Sequence, residues 1–160
     1  MSELPYVDEQ AVLVAAGADT VWIALTETLD RAFGRTAAAT YARLVGCADT
    51  AVSGPRPLIS GSAMPGFRVV DAVPGSTLLL EGSHYFASYT LRFRLRPVSA
   101  SQSSIAAETR AYFPALPGRF YRLLVIASGG HTVVVRRLLA RIRRRSEQLA
   151  GPAGSYLTVA

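Results

Sequence analysis

Apolar and polar positions alternate most regularly in the middle of the chain, and that alternation predicts a sheet. In "SYTLRFRLRPV" (88–98), Tyr89, Leu91, Phe93 and Leu95 fall on one face and Thr90, Arg92, Arg94 and Arg96 on the other. "IAAETRAYF" (105–113) repeats the pattern, with Ile105, Ala107, Thr109, Ala111 and Phe113 inward and Glu108 and Arg110 outward. The polar segment "SASQSS" between these strands predicts a hairpin loop. Two earlier strands, "FRVVDAV" (67–73) and "STLLLEGSHYF" (76–86), meet across Pro74-Gly75, a strong turn dipeptide. The outward charges Glu81, Arg92, Arg94, Glu108 and Arg110 predict a cross-strand ladder facing water rather than chemistry.

Before the sheet the period changes. A short apolar run over Ala11–Ala15 predicts a first strand that turns at Gly17. Val21, Trp22, Leu25, Thr28 and Leu29 then recur at helical spacing, with Asp19 expected as the N-cap. A second helix is predicted over Thr36–Leu44. The Gly-, Pro- and Ser-rich stretch from Gly46 to Gly66 is expected to be a loop with one short strand.

A long helix is predicted from about Arg119 to Gln148. On a wheel of 100° per residue, Phe120, Leu124, Ala127, His131, Val134, Leu138 and Ile142 form an apolar stripe with His131 near its centre. Val125, Ile126 and Val133 lie outside that stripe and call for a cover, from another segment or from a homodimer partner. Gly129 and Gly130 interrupt the pattern at about 1 kcal/mol each relative to alanine. They imply either a bend or room beside His131. Residues 8–148 are expected to form one domain, with 149–160 as a loose tail.

Composition narrows the function classes. The chain has 160 residues, half of them hydrophobic, which suits one domain with a sizeable core. Its net charge of +6 is local. Six arginines stand between 136 and 145, and the other eleven balance the eleven acidic residues. They follow the far side and end of the last helix, where cations also favour the helix dipole. A solvated helix back is therefore the leading reading and no nucleic-acid partner is expected. Contact with nucleic acid or an anionic membrane through this helix stays open as an alternative. The acidic start "MSELPYVDEQ" is not a secretory signal, and no apolar run approaches a transmembrane length, so a cytoplasmic location is expected.

Candidate chemistry is sparse. The two histidines, His84 and His131, both point inward by periodicity, and either could serve as an acid, a base or a ligand contact. Two histidines alone make no metal site, and neither a metal nor a cofactor is expected. Asp71 shares parity with inward Phe67, Val69 and Val73, and so is the one acid that could face the cavity; it could equally sit at a strand end in water. Tyr85 and Tyr121 could bring hydroxyls to a cavity rim. Cys47, the lone cysteine, reads as a small buried hydrophobe. Ser83 and Ser128 lack any nucleophile context.

One strand, two short helices, an antiparallel run and a long amphipathic C-terminal helix describe an α+β helix-grip architecture, a curved antiparallel sheet wrapped around the last helix. With the segments "GADTVWIAL", "PGFRVVDAVPGSTLLLEGSHYFASYTLRFRL", "AETRAYFPALPGRFYRLLVIASGGH" and "VVRRLL", the chain resembles the START-like (SRPBCC, birch-pollen-allergen-like) superfamily over about residues 8–148. It is most similar to small actinobacterial members grouped with polyketide cyclases. The resemblance implies a cavity between sheet and helix holding a small hydrophobic molecule, aromatic or polyketide- or lipid-like. The expected lining is Trp22, Phe67, His84, Tyr89, Phe93, Phe113, Phe120, Leu124 and His131. A cyclase, aromatase or dehydratase using His84, His131 or Tyr89 to move a proton is the alternative.

Overall fold

The computed structural model describes residues 4–114, 120, 123 and 129–152. Strand β1 (Tyr6–Val14) leads through a turn into helix α1 (Ala18–Phe33) and helix α2 (Thr36–Leu44). Strands β2 (Ala63–Met64), β3 (Phe67–Val73), β4 (Thr77–His84), β5 (Ala87–Ser99) and β6 (Gln102–Tyr112) follow, and helix α3 (Gly130–Ala150) comes last. The six strands form one antiparallel sheet in the order β1-β6-β5-β4-β3-β2. The chain thus sends its first strand to one edge, beside the last. The curved sheet packs against α3 and α1, the helix-grip arrangement that the sequence predicts.

The core fills the space between the sheet and these two helices. Leu25 and Leu29 of α1, Phe93 of β5, Ile105 of β6 and Ile142 of α3 are fully buried there. Each such side chain stabilises the fold by about 1.5–3 kcal/mol relative to exposure. Outside the sheet, the charge ladder is centred on Glu108, which Arg94 and Arg110 both clasp. Arg94 also pairs with Glu9 of β1. Glu81 is not part of this cluster. It stands opposite Thr90, one strand away.

Several sequence expectations need correction. Gly17, not Asp19, caps α1, and Asp19 lies in the first helical turn, where its charge favours the dipole. Strand β1 starts at Tyr6, well before the predicted apolar run, because residues 6–10 find partners along β6. A bulge shifts the β3–β4 register between Val69 and Asp71. Asp71 therefore falls opposite Leu79 and is exposed, while Ala72 turns inward. Val73 is exposed as well.

The last helix departs most. Gly129 has φ 72°, the left-handed region, so a single α-helix cannot run through it from Arg119. Among the described residues, an added Cβ there would meet nothing within 4 Å, and it is the positive φ that calls for glycine at this position. The helix that begins at Gly130 buries Val135, Leu138, Leu139, Ile142 and Ser146. Val134 is exposed, as is Phe120 on the other side of the break. The wheel drawn across Gly129 was therefore out of phase for both. Leu124, Ala127, Tyr121, Val125, Ile126 and Ser128 lie outside the described residues, as does the segment 153–160 of the expected tail.

Candidate functional site

Beyond the packed core, towards the C-terminal end of α1, the sheet and helices diverge. They leave a cavity of about 380 Å³. Its walls come from the end of α1 and from α2, from the loop around Cys47 and Gly66, from β4, β5 and β6, and from the first turn of α3. Five of the nine residues expected to line a cavity border it: Phe67, His84, Tyr89, Phe113 and His131. Trp22 and Phe93 do not. Trp22 packs on the core from α1, and Phe93 is fully buried within it. Phe120 is 67% exposed. Leu124 is outside the described residues.

Aromatic rings form a chain along one wall. Phe33 meets Phe67 edge-on at 5.0 Å, Phe67 meets Tyr89 at 5.3 Å, and Tyr89 meets His84 at 5.6 Å between ring centroids. Such edge contacts each add about 0.5–1.5 kcal/mol beyond simple burial. The Tyr89 ring lies across Gly82, its cross-strand partner, and its hydroxyl donates to the Gly66 carbonyl at 2.8 Å. This bond joins β5 to the turn between β2 and β3. Phenol and glycine thus fix the shape of that end of the cavity.

His84 accepts a hydrogen bond at Nδ1 from the Phe86 amide at 3.1 Å, which closes the β4–β5 turn. Burial lowers its pKa below the ordinary 6.5, so the ring is neutral at neutral pH. This has a consequence for stability. As pH falls below 6.5, the unfolded chain binds a proton at His84 before the folded chain does, and stability declines down to the folded-state pKa. Glu108 acts at lower pH. Its hydrogen bond from Arg110, with Arg94 and Arg92 close by, holds its carboxyl below 4.5 in spite of burial. The stability it contributes is present above 4.5 and is lost as pH falls through the lower folded value. Thermal melts from neutral to acidic pH should show His84→Asn flattening the first decline and sparing the second. A variant that melts in parallel with the parent at every pH would refute the assignment.

The opposite end of the cavity carries a second polar group. His131 Nε2 lies 2.9 Å from Thr109 Oγ1 and 3.4 Å from Asp8 Oδ1. Asp8 was not foreseen. The unbroken β1–β6 register places it directly opposite Thr109 on the inner side, in line with Val12 and Val14, and the bulge between Tyr6 and Asp8 displaces only the residues before it. Thr132 donates to its other oxygen at 3.1 Å, and so does Gln10 at 3.4 Å. The sequence signal was present: Asp8, Gln10, Val12 and Val14 share one parity, but residues 6–10 are too polar to read as a strand. Cys47 was also missed as a lining residue. Its thiol is 3.9 Å from the Tyr89 hydroxyl, and burial raises its pKa above 9.0, so it is a neutral thiol at neutral pH. Tyr85 projects outward at 74% exposure, beside Gly46. Among the described residues, no three metal-binding side chains converge.

A curved antiparallel sheet closed over a C-terminal helix, with a lined cavity between them, defines the START-like (SRPBCC) fold, and the solved structures agree. The chain is similar to the aromatase/cyclase ZhuI from Streptomyces sp. R1128, at 15% identity and TM-score 0.55, over 94% of this chain and 100% of that one. It is similar to truncated norcoclaurine synthase from Thalictrum flavum, at 11% identity and TM-score 0.53, over 96% and 100%. It also matches the di-domain ARO/CYC BexL of the BE-7585A biosynthetic pathway, at 17% identity and TM-score 0.53, over 91% of this chain and 47% of that one, about half its length. No known family profile and no curated protein matches the sequence. Among the described residues, no helix is long and apolar enough to cross a membrane.

Proposed function

We propose that this chain binds a small hydrophobic molecule, aromatic or polyketide-like, in the cavity between the sheet and the helices. One observation carries the reading: a cavity of about 380 Å³ with mostly apolar and aromatic walls and polar side chains at its two ends. That volume is at the small end for ligand pockets and suits two or three fused rings. The aromatase/cyclase named above makes a ring-bearing ligand the natural first choice. A second reading, proton-transfer chemistry on the bound molecule, is favoured by the His131 imidazole in the wall with a carboxylate behind it.

Native mass spectrometry of the purified protein, followed by organic extraction, tests the proposal. A co-purified small molecule, or saturable uptake of a naphthalene-sized probe displaced by it, is the expected outcome. A protein that carries nothing and takes up no such probe would overturn it.

The arginine-rich end of α3 stands apart from this function. Arg145 pairs with Glu27 of α1 at 2.9 Å, and Arg143 pairs with Glu147 at 3.0 Å. Replacing Arg143, Arg144 and Arg145 with glutamine should leave probe affinity within about twofold, because none of the three borders the cavity. Heparin retention should fall with the lost charge. A tenfold loss of probe binding in a folded variant would instead give that end an active role.

A further inference from the structure

The polar group at the His131 end contains an electrostatic puzzle. Asp8 Oδ1 is buried and has no hydrogen-bond partner within normal geometry. His131 Nε2 lies 3.4 Å from it. The same nitrogen lies 2.9 Å from the Thr109 hydroxyl. Two proton arrangements of the neutral ring fit these distances. In one, Nε2 is bare and accepts from Thr109. Its lone pair then faces a buried carboxylate oxygen, which stays orphaned and loses hydration without compensation. In the other, Nε2 carries the proton and shares it between Thr109 Oγ1 and Asp8 Oδ1. Only the second gives the carboxylate oxygen a donor, and a charged acceptor strengthens that contact.

We infer that Asp8 is a positioning residue: it keeps the proton of His131 on Nε2, so that Nδ1 is offered to the cavity as an acceptor and selects a ligand with a hydroxyl at that end. The inference rests on the ligand-binding reading of the cavity. Nδ1 has no partner among the described residues, and His131 and Thr109 both border the cavity while Asp8 stands behind them. A carboxylate behind an imidazole fixes the tautomer because it can only accept. A phenol or enol hydroxyl reaching this end then finds an acceptor, whereas an ether of the same shape leaves Nδ1 unpaired.

Two measurements test it. The first is long-range ¹H–¹⁵N NMR of the imidazole rings in alkaline buffer. The chain has two histidines, so His84→Asn leaves His131 as the single ring in the spectrum. The proton should sit on Nε2 in the parent and move to Nδ1 in Asp8→Asn, whose amide can donate to Nε2. A parent ring protonated on Nδ1 overturns the inference without any change at Asp8. The second compares 2-naphthol with 2-methoxynaphthalene by calorimetry. The naphthol should bind about tenfold more tightly to the parent, and Asp8→Asn should abolish that preference while retaining the ether. Equal affinities in the parent, or a preference that survives in Asp8→Asn, would defeat the inference and leave the cavity reading intact. Binding of neither probe would defeat both.

Discussion

Glu108→Ala should lower the free energy of unfolding by about 2–3 kcal/mol, somewhat less than the roughly 3–5 kcal/mol of breaking a fully buried ion pair. The Glu108 side chain is only 7% exposed, whereas Arg110 is 26% and Arg94 35% exposed, so the arginines regain some hydration when the carboxylate goes. The loss is still large because one carboxylate serves two guanidinium groups on β5 and β6. Glu9 gives the contrast. It also pairs with Arg94 but is 37% exposed, so Glu9→Ala should lose less than about 1 kcal/mol. Urea titration of both variants gives the comparison. Equal losses would mean that burial of Glu108 is not what makes its pairs matter.

Gly82→Ala should be at least as damaging, at about 3 kcal/mol, for a steric reason. A Cβ on Gly82 would lie 2.1 Å from the Gly66 carbonyl oxygen and 2.4 Å from the Tyr89 ring. One of these is backbone and the other is held by its hydroxyl, so neither yields cheaply. Relief requires Tyr89 to swing away, which breaks its bond to Gly66 and collapses the aromatic end of the cavity. The variant should lose probe binding and show a displaced Tyr89 ring resonance. A Gly82→Ala protein with parental stability and binding would mean that the β2–β3 turn moves freely, and the account of this cavity wall would fail.

Most of the fold was legible because its signals are local. Alternation placed β5 and β6, Pro74-Gly75 placed the turn between β3 and β4, and the predicted second helix over Thr36–Leu44 matches α2. What stayed hidden was set by tertiary register. The extra residue at the β3 bulge inverts parity, so Asp71 went outward, while Asp8 keeps the parity of Val14 and stayed hidden because residues 6–10 are too polar to read as a strand. The break at Gly129 had the same effect on the wheel: His131 borders the cavity in phase with the residues that follow the break, not with those before it. The aromatic lining illustrates the remaining limit. Phe93 and Tyr89 share one face of one strand, yet the first packs in the core and the second borders the cavity, because α1 and α3 cover only part of the sheet's length. Periodicity fixes a face, whereas the position of the cavity along that face depends on where the helices stop.

The placement of β1 also governs how the molecule is made. Its partner strand β6 stands about a hundred residues later, so closing the edge is a long loop closure with a correspondingly large entropic cost. As the chain leaves the ribosome, the meander from β3 to β6 can assemble from neighbouring hairpins while β1 is still unpaired. Asp8 and Thr109 meet only when that edge closes, and His131 joins them only when α3 is complete. The acid-bearing end of the cavity is therefore the last part of the protein to form, and a refolding chain should bury its aromatic wall before it acquires its polar one.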